Sequence, residues 1–185
     1  MSDYDTNEWI TPWELIGKIE ATVNDQLMLG VAGAGKYKMN FDLAATPENA
    51  KCARFWTRED DALIQDWRQL KKLVGKKAHG VFPWLNPPYG RRPGLDKFAD
   101  KIEDSLDCFD LLPVLANQDS TTDWHKTLWN LSSEVWRLSH RLHFGHPNIE
   151  GTSAKKAQDL FWIPRGGCSD QSLTRLWNPR TGEFL

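Results

Sequence analysis

The chain has 185 residues, enough for one domain with a single sizeable core and too few for two comfortable ones. Its apolar fraction of 40% and charged fraction of 26% are ordinary for a soluble globular protein and argue against a disordered or fibrous class. The formal net charge is −2, so global attraction to a polyanion is absent and any nucleic-acid binding needs a local basic face.

No apolar run approaches the length of a membrane span, and the N-terminus lacks a charged-then-apolar signal segment, so the expected place is the cytoplasm. Cys52, Cys108 and Cys168 are odd in number and far apart, which points away from a disulfide framework and from a zinc site. Ten tryptophans, from Trp9 to Trp177, are expected mostly in the core or in groove walls, because Trp buries a large area wherever it sits.

Residues 1–8 read as a flexible N-terminus. Thr11-Pro12 opens a helix, with Thr as cap, Pro at the first helical position, and Leu15, Ile16 and Ile19 on one face. Gly30 to Lys36 is a glycine-rich loop, followed by an extended segment around 39–43. Residues 48–54 look helical, 54–57 strand-like, and 59–74 form a connection bearing a helix. A strand then leads into Asn86.

Beyond it, Leu95–Leu106 has helical spacing. Cys108–Leu115 reads as a buried strand with Pro113 at its end or edge. A helix over 120–131 is capped by Ser120, Thr121 or Thr122, and strands are expected at 134–138, 142–144 and, as the last one, 159–163. Strands alternating with helices predict an α/β fold, a mainly parallel sheet with helices on both faces. The main domain spans 9–165, and 166–185 reads as a C-terminal extension that is mostly loop.

The most informative stretch is Asn86-Pro87-Pro88-Tyr89-Gly90, directly behind the apolar run 81–85. Two adjacent prolines fix φ and push the preceding residues into extended geometry, which makes a rigid ledge. A ledge at the carboxyl end of a strand is where open α/β folds bind ligands. The Asn86 side-chain oxygen and the Pro87 carbonyl are both acceptors, suited to the two N–H hydrogens of an exocyclic aromatic amine. Tyr89 offers a face on which a base can stack. These residue types suit delivery of a methyl group to adenine. The competing reading is a tight turn after a strand.

Other candidates are weaker. Gly30 to Lys36 matches a phosphate-loop spacing, but Tyr37 stands where magnesium binding needs Ser or Thr, and no helix follows. His140, His143 and His146 recur around Arg141, yet Gly145 and Pro147 break any continuous helix. A polar rim contacting phosphate is the better reading, and Arg91 and Arg92 behind the ledge suit backbone contacts that position a nucleotide.

Taken in order, Thr11-Pro12, Phe41-Asp42-Leu43-Ala44-Ala45-Thr46-Pro47-Glu48-Asn49-Ala50-Lys51-Cys52, Asp61-Ala62-Leu63, Asn86 to Gly90 and Arg141-Leu142-His143-Phe144 resemble phage-type Dam DNA N6-adenine methyltransferases. The likeness runs from residue 9 to about 165. It implies a Rossmann-like methyltransferase fold and S-adenosylmethionine as donor. Trp9, Thr11, Pro12, Asp42, Ala44, Ala45, Asp61 and Asn86 would then border the cofactor, Asp42 facing its ammonium or a nearby water and Asp61 its adenine amine. Asn86, Pro87, Pro88 and Tyr89 would be catalytic, and Arg91, Arg92, Arg141 and His143 would contact double-stranded DNA; no metal is implied. Many related enzymes carry a Gly-x-Gly loop after the first strand, where this chain has Ala44-Ala45-Thr46.

The implied reaction needs the adenine flipped out of its stack, at a cost of about a few kcal/mol. The resemblance further implies a phage or prophage enzyme protecting DNA from restriction, as a monomer or weak dimer. An N4-cytosine enzyme would normally carry Ser at position 86. RNA and protein-glutamine methyltransferases share the ledge, and an inert DNA-binding relative is the rival from another class. A separate target-recognition domain of ~100 residues does not fit, so a short or loose recognition site is expected.

Overall fold

The computed structural model describes residues 10–26, 37–89, 94–145, 156–170 and 172–185. Trp9, the Gly30–Lys36 loop, Gly90, Arg91, Arg92 and His146 lie outside the described residues. The elements run α1 (Trp13–Gln26), β1 (Phe41–Asp42), α2 (Leu70–Val74), β2 (Pro83–Trp84), α3 (Leu95–Glu103), β3 (Leu111–Asn117), α4 (Asp123–Leu131), β4 (Glu134–Leu138), β5 (Gln158–Pro164), β6 (Leu173–Asn178) and β7 (Glu183–Phe184).

β1 and β2 pair in parallel, and β3–β5–β4–β6–β7 form a five-stranded sheet. One parallel bridge, Leu85 opposite Val114, joins the two. On its other edge β1 is flanked by the segment around Phe55, through bonds from the Asp42 N–H to the Arg54 carbonyl and from the Trp56 N–H to the Asp42 carbonyl. The expected mainly parallel sheet is therefore corrected to a mixed one. β5 enters between β3 and β4 antiparallel to both, and β7 turns back against β6. Among the described residues, β1–β2 and β4–β6 are the parallel ladders. Strand direction depends on how the connection after β4 returns, which composition does not encode.

Alternation along the strands builds two apolar layers. Leu112, Val114, Phe161 and Ile163 face one layer, with Phe98, Ala99, Ile102 and Leu128 of α3 and α4 packed on it. Leu111, Leu115, Leu160 and Trp162 face the other, covered by Leu15, Ile16, Ile19 and Val23 of α1. Both faces of the sheet thus carry helices. Trp56, Trp67, Trp84, Trp136, Trp162 and Trp177 are buried, as their size favours, whereas Trp13 is 61% exposed.

Three local readings change, and the one for Pro113 holds in its edge form. Pro113 sits within β3, the edge strand of the five-stranded sheet, with its missing N–H toward β2, where pairing has shrunk to a single bridge. Residues 48–54 form turns and bends. Here side chains take the backbone donors, Asn49 Oδ1 accepting from the Thr46 N–H at 2.7 Å and Asp42 Oδ2 from the Lys51 N–H at 2.8 Å. The stretch 142–144 makes no regular strand, although Leu142 and Phe144 are buried and Gly145 pairs with Ile10. The tail after Arg165 supplies β6, parallel to β4, and places Trp177 fully in the core. The strand over 158–164 is accordingly not the last.

Candidate active site

The carboxyl ends of β1 and β2 open into a cavity of about 600 Å³. That volume lies within the usual range for small-molecule sites. Its lining brings together Thr11, Asp42, Ala44, Ala45, Asp61, Asn86, Pro87, Pro88 and Tyr89, residues up to 78 positions apart in sequence. Pro12 is not part of the lining; its carbonyl accepts from the Leu15 N–H in the first turn of α1. Arg141 and His143 are exposed outside the cavity, on the opposite side of their segment from buried Leu142 and Phe144.

Asn86 is held at both ends. Its Nδ2 donates to Thr11 Oγ1 at 3.0 Å, and its Oδ1 accepts from the Tyr89 hydroxyl at 2.8 Å. The Tyr89 hydroxyl also lies 3.1 Å from the Leu115 carbonyl on β3, so its single proton is shared between two acceptors. Burial pushes the Tyr89 phenol well above its ordinary range, which keeps it a neutral donor. The ledge is thereby tied to α1 and to β3, and one lone pair of Asn86 Oδ1 is left for a ligand.

Asp42, at the end of β1, is 3% exposed. Its Oδ2 accepts from the Lys51 N–H at 2.8 Å and its Oδ1 from the Ala44 N–H at 3.3 Å. Burial pushes its carboxyl up to about 7, against the two backbone donors and the nearby Lys51 charge, which pull it down. Asp61 adopts a left-handed backbone with φ of 53°, and its Oδ1 accepts from the Leu63 N–H at 3.1 Å. Asp is among the few residues other than glycine that tolerate this region. Asp61 is thus both a turn former and a carboxylate on the cavity wall.

The family model for DNA N-6-adenine-methyltransferase (Dam) matches residues 1–163. The chain belongs to this family. A DNA N-6-adenine-methyltransferase of Escherichia phage T1 is 29% identical over 130 residues, 69% of this chain and 43% of that protein. YfdM of Escherichia coli (strain K12), which its name assigns provisionally to the methyltransferases, is 42% identical over 48 residues, 26% of this chain and 47% of that protein. The matched regions span less than half the length of either relative. No solved structure matches.

Several lining residues of this Dam-family chain escaped sequence reasoning. Lys51 is 5% exposed and lines the cavity, and Trp84 and Phe98 supply apolar wall. The available signal for Lys51 is a single lysine among Ala50, Cys52 and Ala53, a setting where a solvated lysine is unexpected. The Thr11–Asn86 contact, across 75 positions, had no local signal.

Proposed function

We propose that the chain is a DNA adenine-N6 methyltransferase that uses S-adenosylmethionine and acts on an adenine flipped out of double-stranded DNA. The observation that carries this reading is Asn86, fixed between Thr11 and Tyr89 at the rim of a cavity that also holds Asp42 and Asp61. The Rossmann-like methyltransferase fold is supported by the strand order. β1, β2, β3, β4 and β6 share one direction, and β5 is inserted against them.

The cavity residues fit the donor, because an acid at the end of β1 and a buried lysine beside it demand a ligand bearing both charges. When bound, S-adenosylmethionine supplies an activated methyl on a sulfonium. Asp42 takes its ammonium, Asp61 the amine of its adenine ring, and Ala44 and Ala45 allow close backbone approach. Asn86 Oδ1 and the Pro87 carbonyl accept the two N–H hydrogens of the target amine and draw its lone pair out of the ring. The Tyr89 ring lines the place where the base stacks. Catalysis then rests on positioning, with no strong base required.

Arg91, Arg92, Arg141 and His143 are proposed to contact the DNA backbone, the role of a local basic face on a chain of net charge −2. Tritium transfer from labelled S-adenosylmethionine to duplex DNA, RNA and protein tests the reading. Label in adenine of duplex DNA supports it; label only in RNA or protein, or nowhere, overturns it.

Asp61→Asn separates the carboxylate from the turn. It keeps an oxygen for the Leu63 N–H and tolerates the positive φ, while losing the carboxylate. Affinity for S-adenosylhomocysteine is expected to fall roughly ten- to hundredfold, with the melting temperature nearly unchanged. Unchanged affinity by calorimetry would leave Asp61 its turn alone.

Asp42 makes binding depend on pH. Below about 7 its carboxyl is protonated in the ligand-free protein and meets an ammonium poorly; above it the charged form is ready. Affinity for S-adenosylhomocysteine is expected to rise from pH 6 to 8, by up to about tenfold per unit below 7, with proton release on binding. Stability of the free protein runs the other way. The folded state holds this proton more tightly than the unfolded chain, so the contribution is full below the ordinary value of 3.8 and lost as pH rises through about 7. Calorimetry in buffers of different ionisation heat counts the protons. Asp42→Asn is expected to flatten the profile.

A further inference from the structure

The reaction as described names no group that Lys51 holds, and its setting demands one. The residue is 5% exposed, and its Nζ is fully buried with no hydrogen-bond partner among the described residues. The Trp13 indole lies over it, with the ring centroid 4.8 Å from Nζ. An ammonium has three donors and no acceptor, so a ring face alone leaves it short of partners. Asp42 is not that partner, because no hydrogen bond or ion pair joins the two side chains. The Lys51 backbone N–H is one of the donors to Asp42, both residues line the cavity, and the Asp42 charge is felt at the Lys51 side chain.

A ligand that satisfies both must be anionic beside Lys51 and cationic beside Asp42. An inorganic phosphate meets the first need and is repelled by the second. An α-amino acid end, carboxylate next to ammonium, meets both. We propose that Lys51 is the anchor for the carboxylate of the methyl donor's amino-acid end, forming with Asp42 a receptor for that zwitterion. The proposal rests on S-adenosylmethionine being the donor. Burial also lowers the readiness of Lys51 to stay charged, with the Asp42 charge opposing that effect, as expected of a cation awaiting an anionic partner. The Trp13 ring, 61% exposed, screens the ammonium from water.

Direct binding at pH 8 tests this with two probes, S-adenosylmethionine and its decarboxylated analogue, which keeps the ammonium and the sulfonium. The unaltered protein is expected to prefer the carboxylate-bearing probe by about ten- to hundredfold, the scale of a hydrogen bond to a charged group. Lys51→Met, which keeps the length and apolar stem, should bind both probes alike, as weakly as the unaltered protein binds the analogue. Removing an unpaired buried charge is not expected to unfold the chain, and Lys51→Gln serves as a second neutral variant.

A variant that keeps the preference overturns the proposal. So does loss of affinity for both probes equally, which would mean that Lys51 acts only by tuning Asp42. If the unaltered protein shows no preference while binding both probes, the Lys51 role fails and the donor assignment survives. If it binds neither, both fall together.

Discussion

Asn86→Ala is expected to abolish methyl transfer while leaving the fold and donor binding largely intact. The substitution removes the Oδ1 that receives the target amine, and with it the contacts to Thr11 and Tyr89 that aim this oxygen. Asn86 is half-buried at the rim of the cavity, so little core packing is lost, and Tyr89 keeps the Leu115 carbonyl as partner. Loss of a polar contact that matters most in the transition state lowers turnover by roughly a hundred- to a thousandfold. The measurement pairs tritium transfer to duplex DNA with calorimetry of S-adenosylhomocysteine and a melting curve. A variant that kept more than half of the original activity, with unchanged melting, would remove the ledge from the chemistry.

The second large effect concerns stability. Trp177 lies beyond the span of the family match, yet it is fully buried on β6, opposite Leu138. Its ring sits 5.4 Å from that of Trp136, and its carbonyl accepts from the Ser139 N–H. Trp177→Ala leaves a cavity in the layer beneath α1 and is expected to cost roughly 3–5 kcal/mol. For a domain of this size each kcal/mol moves the melting temperature by about 2–4 °C, so a drop of roughly 6–20 °C is expected. Scanning calorimetry of the two proteins decides it. A shift below about 2 °C would return residues 166–185 to the status of a dispensable loop.

These two residues mark how far the sequence could be read. Asn86 was visible because its chemistry is local: two prolines stiffen the backbone whatever surrounds them, and the acceptors are two consecutive residues. The same holds for α1, whose buried Leu15, Ile16 and Ile19 follow from helical periodicity alone, although the helix begins at Trp13, one residue after Pro12. Trp177 was read as part of a loop because Gly166, Gly167, Pro179 and Gly182 crowd its surroundings, and turn residues dominate a short window. Only the free edge of β4, more than thirty positions earlier in the chain, makes that window a strand.

The sequence by itself determined the ledge, the helix-covered α/β architecture, the burial of most tryptophans and the family likeness, all carried by nearest neighbours or by residue order. The tertiary structure decided the strand directions, the place of Pro113 within an edge strand and the lining of one cavity by residues from Thr11 to Tyr89. It also turned Lys51 from a position in a motif into a buried cation without a hydrogen-bond partner among the described residues. The physical reason is the same in each case. Pairing partners, burial and the dielectric around a charge are set by contacts between segments remote in sequence, and one sequence read locally does not reveal which segments meet.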